Sequence, residues 1–228
     1  MKKHGSRTGS IMMAAGLLLI LLALCYLAGN LWEEYTAGST SQRALEQMRE
    51  TRVAAQASAP DATAAPVPMT AGDAPQTDIP AEPTAVPPLY VQYPDMEMPE
   101  VEIDGQKYIG TVTIPKLGLE LPVISQWNYP RLKLAPCRYS GSVYQDDMII
   151  LGHNYERHFR RFTDVETGDE VLFTDMDGNV FRYVVTLKEQ LRGNDTERML
   201  EGEWDLTLFT CARGGKKRIT LRCDRVEE

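Results

Sequence analysis

The stretch DLTLFTCARGGKKRITLRC, from Asp205 to Cys223, contains two short β-like runs joined by a loop with two adjacent glycines. The first run ends at Cys211, and the second begins at Lys217. This spacing predicts an antiparallel pair of strands, because a short glycine-containing loop can return the chain beside itself. Cys211 would then lie where a strand meets a loop, a position at which functional residues are often found.

Six further runs of similar length precede this pair, each bounded by turn signals such as glycine, proline or Asp-Gly. They cover residues 108–114, 119–124, 137–139, 147–153, 169–175 and 179–191. Eight strands in so short a segment predict an all-β domain built as a closed or nearly closed barrel. Helical periodicity is almost absent, and only 159–162 and 197–200 are expected to form helical turns.

The beginning of the chain has a different character. Residues 11–29, IMMAAGLLLILLALCYLAG, carry no charge, and a run of about 20 apolar residues can cross a bilayer as a helix. Three basic residues and no acidic residue come before Glu33. The positive-inside rule therefore predicts a cytoplasmic tail at 1–10, a single-pass anchor at 11–29 and an extracellular remainder. A cleaved signal peptide is the alternative, although its apolar core is usually shorter, about 7–15 residues.

Two segments separate the anchor from the strands. Residues 30–59 predict a polar juxtamembrane helix with a thin apolar face. Residues 60–100 contain ten of the 14 prolines among Ala, Thr and Asp, a composition typical of a disordered, extended linker. The part of the linker near Tyr90 to Met98 could alternatively fold back as a lid. The folded domain is predicted to occupy 101–228.

Charge and cysteine content exclude some classes of function. The chain has 24 basic and 32 acidic residues, a net charge of -8, which argues against nucleic acid as a partner. No CxxC pair indicates a structural zinc site. Cys137, Cys211 and Cys223 lie outside the anchor, so at least one thiol is free. A Cys137–Cys223 disulfide and two free buried thiols remain alternatives.

The residues that could perform chemistry end or begin predicted strands. A thiol nucleophile such as Cys211 needs a base or a cationic neighbour, and His153 ends the apolar run 147–153. Acyl transfer also needs a donor for the developing oxyanion. Arg218 opens the last strand and can return to the Cys211 end. Arg222 and Arg225 compete for this role, but Arg218 lies nearest the connecting loop.

Three motifs in order resemble the sortases, cysteine transpeptidases of the Gram-positive cell surface. TLFTC (207–211) matches the family's TLxTC signature. DDMIILGHN (146–154) is similar to its histidine strand, and KRITLR (217–222) to its arginine strand. The resemblance covers roughly 107–228 and implies an eight-stranded sortase barrel with short helical turns. It makes 101–228 the catalytic domain.

The family's roles are carried onto the matching positions. Cys211 would be the nucleophile, His153 the acid and base, and Arg218 the group that holds the oxyanion or the substrate backbone. Thr210 would line the site beside the nucleophile and assist the oxyanion. The resemblance implies neither a metal nor another cofactor.

The resemblance also implies an activity and a location. The enzyme would cleave a C-terminal sorting motif of secreted proteins and transfer the acyl group to a peptidoglycan precursor or a pilin amine, at the outer face of the cell membrane. The short stretch 192–203 differs from class B, and YPDMEM (93–98) lacks the Asp-Pro-aromatic order of class C. Class D or a clostridial-type subtype is therefore predicted. A pilin-polymerising sortase, a cysteine hydrolase with the same residues and a non-enzymatic surface adaptor are the alternatives.

Overall fold

The computed structural model describes residues 6–58, 87–212 and 215–226. The helices are α1 (Ser6–Ser58), α2 (Leu89–Gln92), α3 (Tyr129–Leu132) and α4 (Thr196–Leu200), with 3-10 turns at Pro115–Leu117 and Arg160–Asp164. The strands are β1 (Val101–Ile103), β2 (Gln106–Ile114), β3 (Leu119–Ile124), β4 (Cys137–Ser140), β5 (Met148–Gly152), β6 (Glu170–Asp175), β7 (Val180–Arg192), β8 (Leu206–Cys211) and β9 (Lys217–Arg225).

The strands form one sheet that closes on itself. Their order is β1-β2-β3-β4-β5-β8-β9-β7-β6, and β2 also pairs with β6. The eight strands β2 to β9 therefore make a closed barrel, which confirms the predicted fold class. The short strand β1 is a ninth strand that pairs with β2 outside the ring. Its three residues are too few to show a period in the sequence.

The barrel has apolar packing on both sides of its wall. Alternate residues such as Ile150, Leu208 and Leu221 fill the interior. Their neighbours Ile149 and Phe209 belong to a second cluster outside the barrel. All five residues of β5 are buried, as expected for a strand that pairs in parallel with β8 and is covered on both faces. This outer cluster matters for function because the candidate site lies beside it.

Helix α1 joins the predicted anchor to the predicted juxtamembrane helix without a break. By length and composition it can cross a membrane, and its most apolar window is not buried against the barrel. The following part does pack: Ala37, Ala44 and Met48 are buried, and Ala44 and Met48 belong to the outer cluster. The thin apolar face seen in the sequence is therefore a contact surface with the barrel.

The folded part of the chain begins before the predicted boundary. Most of the predicted linker, residues 60–86, lies outside the described residues, as do residue 59 of the predicted juxtamembrane helix and residues 1–5 of the predicted tail. From Pro87 onward the chain lies against the barrel. Tyr90 stacks on Tyr144 with ring centroids 5.0 Å apart, and Met98 is buried. A few apolar side chains therefore hold the described end of this proline-rich segment against the barrel.

Candidate active site

The ends of β5, β8 and β9 bring three predicted site residues together. Gly152, the last residue of β5, pairs in parallel with Thr210 of β8, so the next residues of the two strands, His153 and Cys211, are neighbours. Cys211 is also directly opposite Arg218 of β9. Adjacent strands lie about 4.8 Å apart, which places His153, Cys211 and Arg218 in one row at a single rim of the barrel.

Strand alternation decides which side of the wall this row occupies. Leu208 faces the barrel interior, whereas Phe209 belongs to the outer cluster. Cys211 shares the face of Phe209 because side chains repeat every two residues along a strand. Cys211 is half-buried, and Arg218, as its cross-strand partner, lies on the same outer face. The site therefore opens outside the barrel.

Thr210 lies on the other face. It pairs with Ile219 of the barrel interior, its side chain is fully buried, and its hydroxyl has no hydrogen-bond partner among the described residues. The Thr210 side chain therefore faces the barrel interior, because alternation turns its hydroxyl away from the face of Cys211. The predicted role of Thr210 beside the nucleophile stays a prediction.

The arginine that faces Cys211 is held by the loop that precedes it. Arg218 Nη1 donates to the carbonyl oxygen of Gly215 at 3.1 Å, within the β8–β9 connection. The guanidinium remains near the rim because this loop brings β9 back beside β8. Other N–H groups of the Arg218 guanidinium could donate hydrogen bonds to a substrate oxygen.

The two rival arginines have structural partners instead. Arg222 is almost fully buried and donates to Glu189 Oε1 at 3.1 Å and to Thr207 Oγ1 at 3.1 Å. Arg225 pairs with Asp146 at 2.8 Å, toward the opposite end of β9. Of the three candidates, only Arg218 is directly opposite Cys211.

The loop after β5 is folded over the rim by close packing. A Cβ at Gly152 would collide with the ring of Phe159, so the absence of a side chain lets Phe159 insert into the barrel core. The amide of Phe159 also donates to the carbonyl oxygen of His153 at 3.2 Å. Both contacts fix the point at which the chain leaves β5 and therefore the position of His153.

Tyr155 and His158, two further residues of this loop, lie beside His153. Neither was predicted from the sequence to be a site residue. Tyr155 stacks on His153 with ring centroids 3.8 Å apart and 22° between the planes. His158 lies on Tyr155 at 5.5 Å and is fully buried. The surrounding sequence NYERHFRR is highly charged, so the sequence predicts an exposed loop and gives no signal of this cluster.

Burial keeps His158 neutral. Removal from water, reinforced by the charge of His153, lowers the pKa of His158 to about 4. The unfolded chain, with a histidine pKa of about 6.5, therefore binds more protons than the folded chain between these values. Folding stability due to this group is present at neutral pH and is lost as the pH falls through this window.

We therefore expect acidification from pH 8 to pH 5 to lower the free energy of unfolding by about 2 kcal/mol through His158 alone. Chemical denaturation of wild type and His158→Gln at both pH values measures this effect. The variant should lose this part of the pH dependence, while carboxylate titrations common to both proteins cancel in the comparison. Equal pH dependence in the two proteins would contradict the assignment.

The remaining cysteines are not paired. All four cysteines of the chain are free, and Cys137 packs in the outer cluster whereas Cys223 lies in the barrel interior. The disulfide alternative is therefore wrong. Burial raises the pKa of Cys137 to about 12 and raises that of Cys223 further, so neither is a ready nucleophile.

No set of metal ligands accompanies the row. Within residues 6–58, 87–212 and 215–226, no three His, Cys, Asp or Glu side chains come together in a way that could hold a metal ion. The groups available for chemistry at the rim are therefore a thiol, an imidazole and a guanidinium. Such a set can form and resolve an acyl-cysteine intermediate.

Known proteins are similar to this chain in sequence and in fold. A family model described as the sortase domain matches residues 112–226. Sortase A of Bacillus anthracis is 26% identical over 145 residues, which is 60% of this chain and 69% of that protein. A solved structure of sortase A from Corynebacterium diphtheriae has a similar fold, with a TM-score of 0.50 and 21% identity over 54% of this chain and 62% of the other.

The matched region contains the whole row at the rim. It spans most of the barrel and includes His153, Cys211 and Arg218. The closed eight-stranded sheet and the TLxTC sequence at the end of β8 agree with this match. The chain therefore belongs to the sortase family of cysteine transpeptidases.

Proposed function

We propose that the protein is a membrane-anchored transpeptidase that cleaves a C-terminal sorting motif of secreted proteins and transfers the acyl group to an amine of the cell wall. The observation that carries the proposal is the row of His153, Cys211 and Arg218 on three adjacent strand ends. In this proposal Cys211 is the nucleophile, His153 the acid and base, and Arg218 the oxyanion or backbone ligand.

In the first half-reaction, the thiolate of Cys211 attacks the scissile carbonyl carbon, and the C–O π electrons move onto oxygen. Arg218 donates hydrogen bonds to this oxyanion, a charge-assisted contact that strengthens as negative charge develops. The intermediate collapses, the C–N bond breaks, and protonated His153 gives its proton to the leaving amine. The products are a thioester on Cys211 and a free amine.

In the second half-reaction, an acceptor amine attacks the thioester carbon. Neutral His153 accepts the proton of the attacking nitrogen. The C–S bond then breaks, and the electron pair returns to Cys211 as thiolate. The new amide leaves, and His153 is again protonated for the next cycle. Water in place of the amine would give a carboxylic acid, which is the outcome expected of a hydrolase.

A cavity on the outer face supports a peptide substrate. Its volume is about 160 Å³, and it is lined by Ile149, Thr207 and Arg222 of the sheet and by residues 200–202 and 204 after α4. Thr207 lies four residues before Cys211 on the same face of β8, a separation of about 13 Å at about 3.3 Å per residue. That separation equals the length of about four extended residues, as in a short linear sorting motif.

The N-terminal helix supports the location. Residues 11–29 are uncharged and basic residues precede them, so α1 would cross the membrane with the barrel outside the cell. Ala37, the first of the described side chains of α1 to be buried against the barrel, follows Gly29 by eight residues, about 12 Å of helix. In this arrangement the barrel lies close to the membrane surface, where newly secreted substrates emerge.

Product partition tests the proposal. The full chain in detergent micelles is incubated with a library of five-residue sorting-motif peptides and increasing triglycine, and acid and amide products are quantified by mass spectrometry. A transpeptidase should divert product from acid to amide as triglycine rises. Lysine-containing pilin peptides, used in parallel, identify a pilin acceptor. Acid at every amine concentration would contradict the transfer step and favour the hydrolase.

A further inference from the structure

In the part of α1 that contacts the barrel, the helix backbone lies close to the barrel surface. Its buried residues are spaced three or four apart, so they form one face of the helix. They are Ala37, Ser41, Ala44, Leu45 and Met48. We call Ala37–Met48 the contact segment. All four residues before Leu45 on this face, counting Gly38, are small, which brings the helix backbone against the barrel and its loops.

One end of the contact segment lies on the loop that follows β5. A Cβ at Gly38 would collide with the Arg157 side chain, so glycine here permits the contact. The Arg157 guanidinium also lies 6.0 Å from the ring centroid of Tyr35, within the range of a cation–π interaction. Glycine in a helix interior costs about 1 kcal/mol relative to alanine, and here it creates the room that Arg157 fills.

The contact segment also reaches the buried histidine of this loop. Ser41 is buried and donates its hydroxyl proton to the carbonyl oxygen of Leu134 at 2.8 Å. The Ser41 oxygen lies 3.5 Å from His158 Nε2. Because the hydroxyl has a single proton, already donated to Leu134, His158 Nε2 must be the donor in this long hydrogen bond. The helix thus selects one tautomer and one ring position for His158.

The contact continues from His158 to the catalytic row. The His158 ring packs on Tyr155 at 5.5 Å, and Tyr155 stacks on His153 at 3.8 Å. Tyr155 is buried, so the ring that supports His153 is itself enclosed by packing. The contacts form an unbroken series: Ser41 to His158, His158 to Tyr155, and Tyr155 to His153.

We infer that the contact segment of the membrane helix is a structural part of the active site, with Tyr155 and His158 as positioning residues that hold the His153 ring. This inference rests on the proposed role of His153 in acid–base catalysis. It predicts that loosening α1 slows the chemical step without weakening peptide binding, since His153 moves protons, whereas the peptide is proposed to bind at the outer-face cavity near Thr207. Proton transfer is sensitive to small displacements of the catalytic group.

A matched pair of alanine variants in the full chain, reconstituted in lipid nanodiscs, tests the inference. Ala44→Leu places a larger side chain on the buried face of the contact segment, where Ala44 packs in the outer cluster, and so displaces the helix from the barrel. Ala28→Leu makes the same change in the same helix at an exposed position. With a peptide that the wild-type protein converts to amide, Ala44→Leu should lower kcat about tenfold or more with KM within about twofold. Ala28→Leu should leave both unchanged.

Tyr155 provides a second, independent test. Tyr155→Ala should lower kcat by about 10- to 100-fold, whereas Tyr155→Phe keeps the stacked ring and should restore kcat to within about threefold of wild type. A role in folding alone would not separate these variants when their melting temperatures are similar. If Tyr155→Ala does not fold, the Ala44→Leu result decides, because that change lies in α1 outside the barrel.

The outcomes separate this inference from the function on which it rests. Wild-type kcat in both Ala44→Leu and Tyr155→Ala, with a thioester still formed on the wild-type chain, would overturn the positioning role alone. A rise in KM with unchanged kcat would also overturn it, because the segment would then act on binding. A wild-type chain that never forms a thioester would overturn the proposed function and this inference together.

Discussion

Cys211→Ala is expected to abolish amide formation, lowering kcat by about 10⁴-fold or more, while the barrel remains folded. The Cys211 thiolate forms a bond to the substrate carbonyl carbon, and this step leads to cleavage of the C–N bond. No other described group at the rim can replace the thiolate. Cys211 is the last residue of β8 and only half-buried, so its loss leaves the core intact. Transpeptidation rate and thermal melting, measured on the same preparation, check both parts.

Cys25→Ala is the matched control for this change. Cys25 lies in the exposed apolar part of α1, and its replacement should leave the rate unchanged. Residual activity of Cys211→Ala close to that of wild type would contradict the assignment of the nucleophile. Cys137 and Cys223 are poor substitutes, because burial raises the pKa of both thiols.

Arg218→Ala should lower kcat by about 10²- to 10³-fold, the effect expected when a donor to a developing oxyanion is removed. Arg218→Lys should recover only part of the loss, because an ammonium group retains the charge but not the planar fork of N–H donors. Steady-state kinetics with one peptide and saturating triglycine measure the effect.

Lys217→Ala is the control for Arg218. Lys217 is the adjacent residue of β9, exposed to solvent, and it shares the local positive charge without facing Cys211. We expect its activity within about twofold of wild type. Equal losses in the two variants would indicate a general electrostatic effect and would contradict a specific role for Arg218.

The barrel could be predicted because its strands obey local rules. The predicted run 119–124 coincides with β3, and 205–211 begins one residue before β8. The alternation of apolar and polar side chains every two residues, together with glycine or proline at the ends, determines these strands. The same alternation also predicts that residues two apart share a face. Applied to Thr210, it would have excluded the side chain from the face of Cys211 before the structure was known.

The contact segment of α1 could not be predicted in the same way. Its face consists largely of Ala, Gly and Ser, which are weakly apolar, so hydropathy indicates only a thin stripe. What fixes the helix is close backbone approach, and that depends on where Arg157 and Leu134 lie in the folded barrel. The partners are distant in sequence, so no local pattern reveals them.

The support for His153 was hidden for a related reason. Tyr155 and His158 stand among charged residues, and the local composition predicts solvent exposure. In the structure the charged side chains of Glu156 and Arg157 point outward while the two rings turn inward. Packing against Phe159 and α1 determines which residues of this loop face inward. A loop sequence without regular periodicity does not predict which of its side chains are buried.

The most direct test of the account is to trap the acyl-enzyme and locate it. The wild-type full chain is mixed with the peptide library without an added amine, quenched in acid and digested, and the modified peptide is sequenced by mass spectrometry. We predict an acyl mass on Cys211 that disappears when triglycine is added before quenching, with amide appearing in equal amount. An acyl group on another residue, or amide formed with no adduct on Cys211, would contradict it.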